Sequence, residues 1–389
     1  MKATLRSVGL TAVALLSTVT ACGAGPASGA ALQNGGRPLA TPAGERTAPA
    51  IQNFLDATLP AGPGGTVVAA RDGRLLHCKG FGLADREKGI PARCDTAYDI
   101  MSMTKQFTAA AIMRMEAMGR LRVTDPISTF LGPVPADKRG ITLHHLLSHT
   151  AGLNDEIGID DYTPISRDGM LGIVLKSRLQ SAPGAEFHYS NLGYSVLAAI
   201  IEKVSGTGFE RFLAQHLFAP AGMTRTGYVL PRWDRDQIAV EYDEDGKRQG
   251  RPFEHPWASD GPYWGLRGNG GIISTPRDMF RWHRALERDT ILPASAKRRM
   301  FHPHVHIGEH NGLDLYYGYG WAVTRSGGNK LVRHDGGNDW SYGEFSRYLD
   351  DRVLVFWITN HAYQKNRWNF EELNPKLTLG IMTRARTAR

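Results

Sequence analysis

Ser102-Met103-Thr104-Lys105-Gln106-Phe107-Thr108-Ala109-Ala110-Ala111-Ile112-Met113-Arg114-Met115-Glu116-Ala117-Met118-Gly119 is the stretch on which the fold turns. Ala, Met and Phe dominate it and Gly119 follows, so it predicts a helix over 103–118 with a C-terminal stop signal. To its N-terminal side, Gly65-Thr66-Val67-Val68-Ala69-Ala70 and Leu75-Leu76-His77-Cys78 flank Arg71-Asp72-Gly73-Arg74, which predicts a β-hairpin around an Asp-Gly turn. To its C-terminal side the pattern stays helical through 142–225, most clearly from Tyr194 to Val204 before Gly206. Strand character returns at Gly271–Ser274, Tyr319–Val323, Lys330–Val332, Gly343–Arg347 and Val353–Trp357, and a last helix is expected across 365–381. Strands at both ends with helices between them imply an α/β architecture: one antiparallel sheet built from the two ends of the chain and flanked by helices, plus a mostly helical insertion.

The chain has 389 residues, 42% hydrophobic and 22% charged, with a formal charge of +8. Apolar residues are spread along most of it, which excludes disorder as the main state. Beyond the N-terminus no apolar run approaches the roughly 20 residues of a membrane span, which excludes a polytopic membrane protein. Lys and Arg are scattered singly, so the charge does not mark a nucleic-acid binder. Lys2 and Arg6 precede an apolar stretch from Val8 to Ala21, the pattern of a secretory signal peptide over residues 1–21. Val19-Thr20-Ala21-Cys22 resembles the bacterial lipobox, which makes Cys22 the expected lipidation site and the membrane a partner through the lipid anchor. Cleavage after Ala27 or Ala30 would instead release an exported soluble protein. Residues 22–48, rich in Gly, Ala, Pro and Thr, read as a flexible tether, leaving 49–389 as the folded domain. Outside the cytoplasm Cys78 and Cys94 are able to form a disulfide; closing a loop of about 15 residues stabilises a fold by roughly 3 kcal/mol. Two buried free thiols are the alternative, and neither cysteine has the C-x-x-C spacing of a metal ligand.

Three short motifs carry the chemistry. In Ser102-x-x-Lys105 the two side chains share a helix face, so the amine reaches the hydroxyl. A cation in the first turn opposes the helix dipole and gains nothing locally, whereas desolvation would leave a neutral amine able to take the serine proton. The same helix start offers N–H groups to a developing oxyanion. Tyr189-Ser190-Asn191 opens a second helix; Asn191 as a cap and Tyr189 as a core residue is the alternative to a proton relay. His334-Asp335-Gly336-Gly337 ends a strand, with glycines that allow a backbone to approach a ligand or simply make a turn.

Taken together, Ser102-x-x-Lys105, Tyr189-x-Asn191 and His334-x-Gly336 resemble the class C β-lactamase family of serine hydrolases and its penicillin-binding and family VIII esterase-like relatives. Gly82-Leu83-Ala84-Asp85, Leu146–Leu153, Pro220–Thr224 and Gly270–Thr275 look like further landmarks, so that the resemblance spans residues 50–380. It implies a β-lactamase/transpeptidase-like fold with the active site between the sheet and the helical domain, and no metal or cofactor. Ser102 would be the nucleophile, Lys105 its base partner and Tyr189 the relay; Asn191, His334, Asp335 and Gly336 would bind substrate, and the N–H groups of Ser102 and Gly337 would form the oxyanion hole.

The third motif departs from the Lys-Thr-Gly usual in β-lactamases. Were Asp335 to face the cleft it would repel a substrate carboxylate, by about 1 kcal/mol at 4 Å in water and more in a partly dry site; strand alternation allows it equally to point away. The expected activity is that of an exported serine hydrolase cleaving an ester or amide of a small molecule or peptide through an acyl-serine, and not an efficient β-lactamase. A D,D-peptidase or β-lactamase, an acyltransferase using the same acyl-serine, and a non-catalytic binding protein are the alternatives. His302, His304 and His306 alternate as a metal site on one strand face would, and Trp257, Tyr263, Trp264 and Trp340 either wall an acyl pocket or pack the core.

Overall fold

The computed structural model describes residues 45–310 and 312–388. The signal segment 1–21, Cys22 and nearly all of the 22–48 tether lie outside the described residues. Eight strands form one antiparallel sheet: β1 (Gly65–Arg71), β2 (Arg74–Phe81), β3 (Val305–His310), β4 (Leu313–Tyr317), β5 (Ala322–Ser326), β6 (Asn329–Gly337), β7 (Tyr342–Tyr348) and β8 (Val353–Thr359). Their order is β3-β4-β5-β6-β7-β8-β1-β2, so the N-terminal hairpin continues the sheet begun by the C-terminal strands. The hairpin turns at Asp72 and Gly73, both with positive φ, as a two-residue primed turn requires.

Helices cover both faces. Against one lie α1 (Pro49–Thr58) and the last helix, Phe370–Thr387, which bury Ile51, Leu55, Leu377 and Ile381 on Val67, Ala69, Val355 and Trp357. Val68, Ala70, Leu354, Phe356 and Ile358 point the other way, toward the helical region. Every residue of β8 is therefore buried, which explains its unbroken apolar run. On that second face α2 (Lys105–Ala117) is buried nearly all round, the state expected of a helix without a polar stripe. Phe107 anchors it edge-on to Trp282 and Phe218, at 4.7 and 5.0 Å between ring centroids; truncating such a residue to Ala costs about 3–5 kcal/mol. The 142–225 region holds α3 (Asn191–Ser205), closed by Gly206 in the left-handed conformation, and several shorter helices. Next in sequence come α4 (Pro276–Glu287), the short helix Ala294–Met300, and the last helix, α5.

Some elements differ from expectation. Tyr319–Val323 is not one strand: β5 starts at Ala322, and Tyr319-Gly320-Trp321 bend the chain so that Gly320 can approach α2, where a Cβ would stand 2.7 Å from the Lys105 carbonyl oxygen. Gly271–Ser274 contributes only Ile273–Ser274, the centre of a three-stranded ribbon with Tyr98–Asp99 and Thr226–Gly227. The last helix begins later than residue 365, because Asn369 caps Phe370–Thr387. His302, His304 and His306 do not converge: His304 stacks on Tyr319 at 4.1 Å, His306 bonds Asp314 at 3.0 Å, and among the described residues no group of three such side chains is placed to hold a metal. Cys78 and Cys94 are joined by a disulfide, with Cα atoms 5.4 Å apart.

Candidate active site

The nucleophile turn is held before the helix begins. Ile100 N–H donates to the Ile272 carbonyl at 2.9 Å, and Asp99 accepts from Met101 N–H at 2.7 Å. Met101, buried and with φ of 50°, thereby takes a left-handed conformation that a non-glycine residue adopts only under constraint. Met101–Thr104 form one 3-10 turn that runs directly into α2. Against it lies the end of β6: a Cβ on Gly336 would stand 2.9 Å from both Ser102 N and the Ile100 carbonyl oxygen, so only glycine lets the strand come this close.

Lys105 is fully buried, and its Nζ has three neighbours: Ser102 Oγ at 3.0 Å, Asn191 Oδ1 at 2.8 Å and the Asn269 carbonyl oxygen at 3.0 Å. Two of these can only accept. A neutral amine gives its two hydrogens to Asn191 and Asn269 and has its lone pair left for the Ser102 hydroxyl. Burial lowers the Lys105 pKa to about 7, against the opposing pull of Asp155, Asp161 and Asp335, so this form is well populated near neutrality.

Tyr189 lies with its ring centroid 4.8 Å from Lys105 Nζ and 4.3 Å from the His149 ring. Burial pushes its phenol above the ordinary range, and among the described residues no hydrogen bond of ordinary geometry holds the hydroxyl, whose polar side-chain neighbour is Ser102. It is therefore a protonated phenol, available to a group that arrives at Ser102. Asn191 is the first residue of α3; Ser190 caps that helix by accepting from Gly193 N–H at 3.0 Å.

Asp155 and Asn269 complete this arrangement, and no motif marks either of them. Asp155 accepts from Ser190 Oγ at 2.5 Å and from Asn191 N–H, which locks the Tyr189–Asn191 turn in place. Asn269 presents its backbone carbonyl to Lys105 because its side chain donates to Ser195 Oγ and the Gly265 carbonyl, at 2.9 and 2.7 Å. His149 does belong to a noted stretch, Leu146–Leu153; it accepts from Ser190 N–H at 3.0 Å, and burial drives its pKa well below 6.5.

The third motif divides between the two faces of the sheet. His334 points to the Ser102 side, where Tyr317 O–H donates to Nε2 at 3.0 Å while Nδ1–H donates to the Asp335 carbonyl. Burial lowers its pKa to about 3, so this side of the cleft carries a neutral imidazole rather than a cation. Asp335 is a correction to the substrate-binding set: its carboxylate accepts from Tyr342 O–H at 3.0 Å, on the face covered by α5. The same face holds the ion pair of Arg333 with Glu344, at 3.1 Å, and Asn374 of α5, which donates to both Glu344 and Tyr342. Gly337 ends β6 opposite Tyr342. Of the aromatic residues, Trp264 packs into the main core, while Trp340, just past the motif, stacks on His255 at 4.3 Å beside Tyr162.

A family model described as Beta-lactamase matches residues 54–373. The chain belongs to the beta-lactamase family. It is a serine hydrolase of that family, with the β-lactamase/transpeptidase-like fold. Penicillin-binding protein 4* of Bacillus subtilis (strain 168) is 30% identical to it over 310 residues, which is 76% of this chain and 68% of that one. The octameric penicillin-binding protein homologue from Pyrococcus abyssi superposes with a TM-score of 0.71 at 25% identity, covering 84% of this chain and 75% of that chain. The D-amino acid amidase from Ochrobactrum anthropi SV3 has a TM-score of 0.71 at 22% identity over 86% of this chain and 97% of its own. EstCE1, a hydrolase with promiscuous acyltransferase activity, gives 0.70 at 24% over 87% and 96%. At these identities the last two establish likeness of fold alone.

Proposed function

We propose that the protein is an exported hydrolase that cleaves neutral or amine-bearing esters and amides through an acyl-Ser102 intermediate, and that it is a poor β-lactamase. The observation that carries this reading is the threefold coordination of Lys105. With Asn191 and Asn269 occupying its hydrogens, the amine takes the Ser102 proton as Oγ bonds to the substrate carbonyl carbon. The carbonyl oxygen gains the negative charge, which the N–H groups of Ser102 and Gly337 are proposed to receive. When the C–O or C–N bond breaks, Tyr189 hands a proton to the leaving group and recovers one from the Lys105 ammonium. Water then attacks the ester formed on Ser102, with the same groups working in reverse.

The preference among substrates rests on charge. A β-lactam or an acyl-D-Ala-D-Ala peptide brings a carboxylate, and His334, being neutral, supplies no cation in the place of the usual lysine. Asp335 turns its carboxylate away from the cleft and acts there only through its field, alongside those of Asp155 and Asp161, all of which reach Lys105 and oppose an anion. A serine-directed phosphonate should label the wild type on Ser102 and leave Ser102→Ala unlabelled. A screen of short acyl esters, D- and L-amino-acid amides and a chromogenic cephalosporin should favour an ester or amide by about tenfold or more in kcat/KM, or about 1.4 kcal/mol. An adduct on another residue, or a cephalosporin among the best substrates, would overturn the reading. Membrane attachment through Cys22 rests on the lipobox-like sequence; Cys22→Ala should move the protein from membrane to medium, and unchanged fractionation would refute the anchor.

A further inference from the structure

At the far end of the sheet from Ser102 there is a cavity of about 350 Å³ lined by His283, Glu287, Arg347, Tyr348, Leu349 and Arg352. On β7, Gly343 pairs with Gly336 beside the nucleophile, whereas Arg347 lies four strand positions away, roughly 13 Å. No residue of the hydrolytic site takes part in it.

Arg347 and His283 form its floor, and both are almost wholly buried, at 3% and 2% exposure. Arg347 Nε–H donates to His283 Nδ1 at 3.2 Å. That bond assigns the imidazole tautomer, because the accepting Nδ1 carries no hydrogen and Nε2 must carry it. Two donors are then left over: neither Arg347 Nη1 nor His283 Nε2 has a hydrogen-bond partner among the described residues. Buried donors are rarely abandoned in this way, since each forfeits the solvation it had in water.

Charge points in the same direction. The Arg347 guanidinium lies over the Phe301 ring at 5.3 Å, and among the described residues no carboxylate pairs with it within 4 Å. Burial lowers its pKa to about 10, and Glu287 acts against the shift. Glu287 lies between the two sides of the cavity without closing a hydrogen bond to either: its Oε1 is 3.8 Å from Arg352 Nε and 3.7 Å from His283 Nε2. Asp72 lies between Arg71 and Arg352, at 3.4 and 3.5 Å. Two guanidinium groups, Arg347 and Arg352, and one carboxylate, Glu287, therefore line this cavity, and the uncompensated charge is that of the buried Arg347. Burial, and after it the fields of Arg347, Arg352 and Arg284, hold the His283 pKa well below 6.5 and keep the ring neutral, so it serves as a donor rather than as a second cation.

We propose that this cavity is a binding site for a singly charged oxyanion group, a carboxylate or a phosphodiester, which accepts from Arg347 Nη1 and His283 Nε2 and displaces Glu287 toward Arg352. One uncompensated cation matches one negative charge. The volume exceeds that of a bare ion, so the group is carried by a small organic molecule or by the end of a larger one.

The test uses the full chain, titrated at constant ionic strength with sodium acetate, inorganic phosphate and dimethyl phosphate, with chloride as reference. Thermal unfolding and the His283 imidazole NMR signals are followed. A saturable rise in Tm together with movement of the His283 Nε2–H signal is expected for at least one probe. Acetate acting alone marks a carboxylate site; dimethyl phosphate acting with or without phosphate marks a phosphodiester site. Glu287→Gln, which removes the competing carboxylate, should tighten binding about threefold or more, and Arg352→Ala should change it by a similar factor. Both should leave ester hydrolysis within about twofold. Arg347→Met should abolish binding, and if that variant fails to fold the two rim variants still decide. No saturable response beyond chloride from any probe, or an affinity indifferent to both rim substitutions, would overturn the proposal.

Discussion

On the Ser102 side of β6, His334 is a neutral imidazole, Tyr189 has a phenol with no partner of ordinary hydrogen-bond geometry among the described residues, and Lys105 is an amine that burial brings toward its neutral form while Asn191 and Asn269 take its hydrogens. One residue along the strand and on the opposite face, Asp335 accepts from Tyr342, Arg333 pairs with Glu344, and Asn374 ties the group to α5. Both sets are buried. The difference is that the outer groups bond to one another, whereas the inner set joins the Ser102 proton to a neutral amine and leaves the Tyr189 proton without an acceptor among the described residues, and those are the parts a substrate can engage. Burial alone therefore does not mark a reactive site; burial with unfinished hydrogen bonding does.

The comparison breaks most visibly if the inner face is not catalytic. Lys105→Met should lower kcat/KM for any ester about a thousandfold or more while the protein remains folded, since the lost group is a desolvated amine rather than a core anchor. Activity within tenfold of wild type would remove Lys105 from the mechanism. On the outer face, Asp335→Thr should lower stability by about 1–3 kcal/mol by taking the partner from buried Tyr342, read as a lower Tm. The ratio of penicillin acylation to ester hydrolysis should stay within about twofold; a tenfold rise in that ratio would mean that the carboxylate acts in the cleft.

Two smaller effects sharpen the contrast. Because the working form of Lys105 is deprotonated and its pKa is about 7, acylation should fall as pH drops through 7 and level off above it. A profile flat from pH 5 to 9 would contradict the base assignment. The field of Asp161 raises the Lys105 pKa, so Asp161→Asn should move the acid limb of that profile downward by a fraction of a unit. A shift to higher pH would show that Asp161 reaches Lys105 by some other route.

Much of this was legible from residue types, and what was not has a physical cause. The Asp-Gly turn announced the hairpin, and the Ala- and Met-rich run announced α2. Ser102 and Lys105 were suggested by spacing, and they lie 3.0 Å apart. The face of Asp335 was not readable because β6 is covered on both sides: Leu331 and Val332 are both buried, so no alternation of polar and apolar residues sets the phase. The acceptor from Asn269 was invisible for a different reason, since it is a backbone carbonyl and every residue has one. Asp155 belongs to no motif, and its role follows only from where the chain brings it. The strand predicted over Tyr319–Val323 failed at Gly320, whose positive φ serves contact with α2 rather than sheet pairing.

The joining of β1 to β8 has a consequence for how this enzyme comes into being. Gly64 N–H donates to Asn360 Oδ1 at 3.0 Å across 296 residues of chain, and β1 pairs with β8 along its whole length. Closing a loop of that size costs roughly 5 kcal/mol of chain entropy before any contact forms. The N-terminal hairpin thus waits for almost the entire polypeptide, and the helix bearing Lys105 has no finished sheet to rest on until β8 has been made. Folding should accordingly be slow and all-or-none on the scale of the domain. A chain cut before Val353 should show no partial hydrolase activity, however complete its catalytic residues.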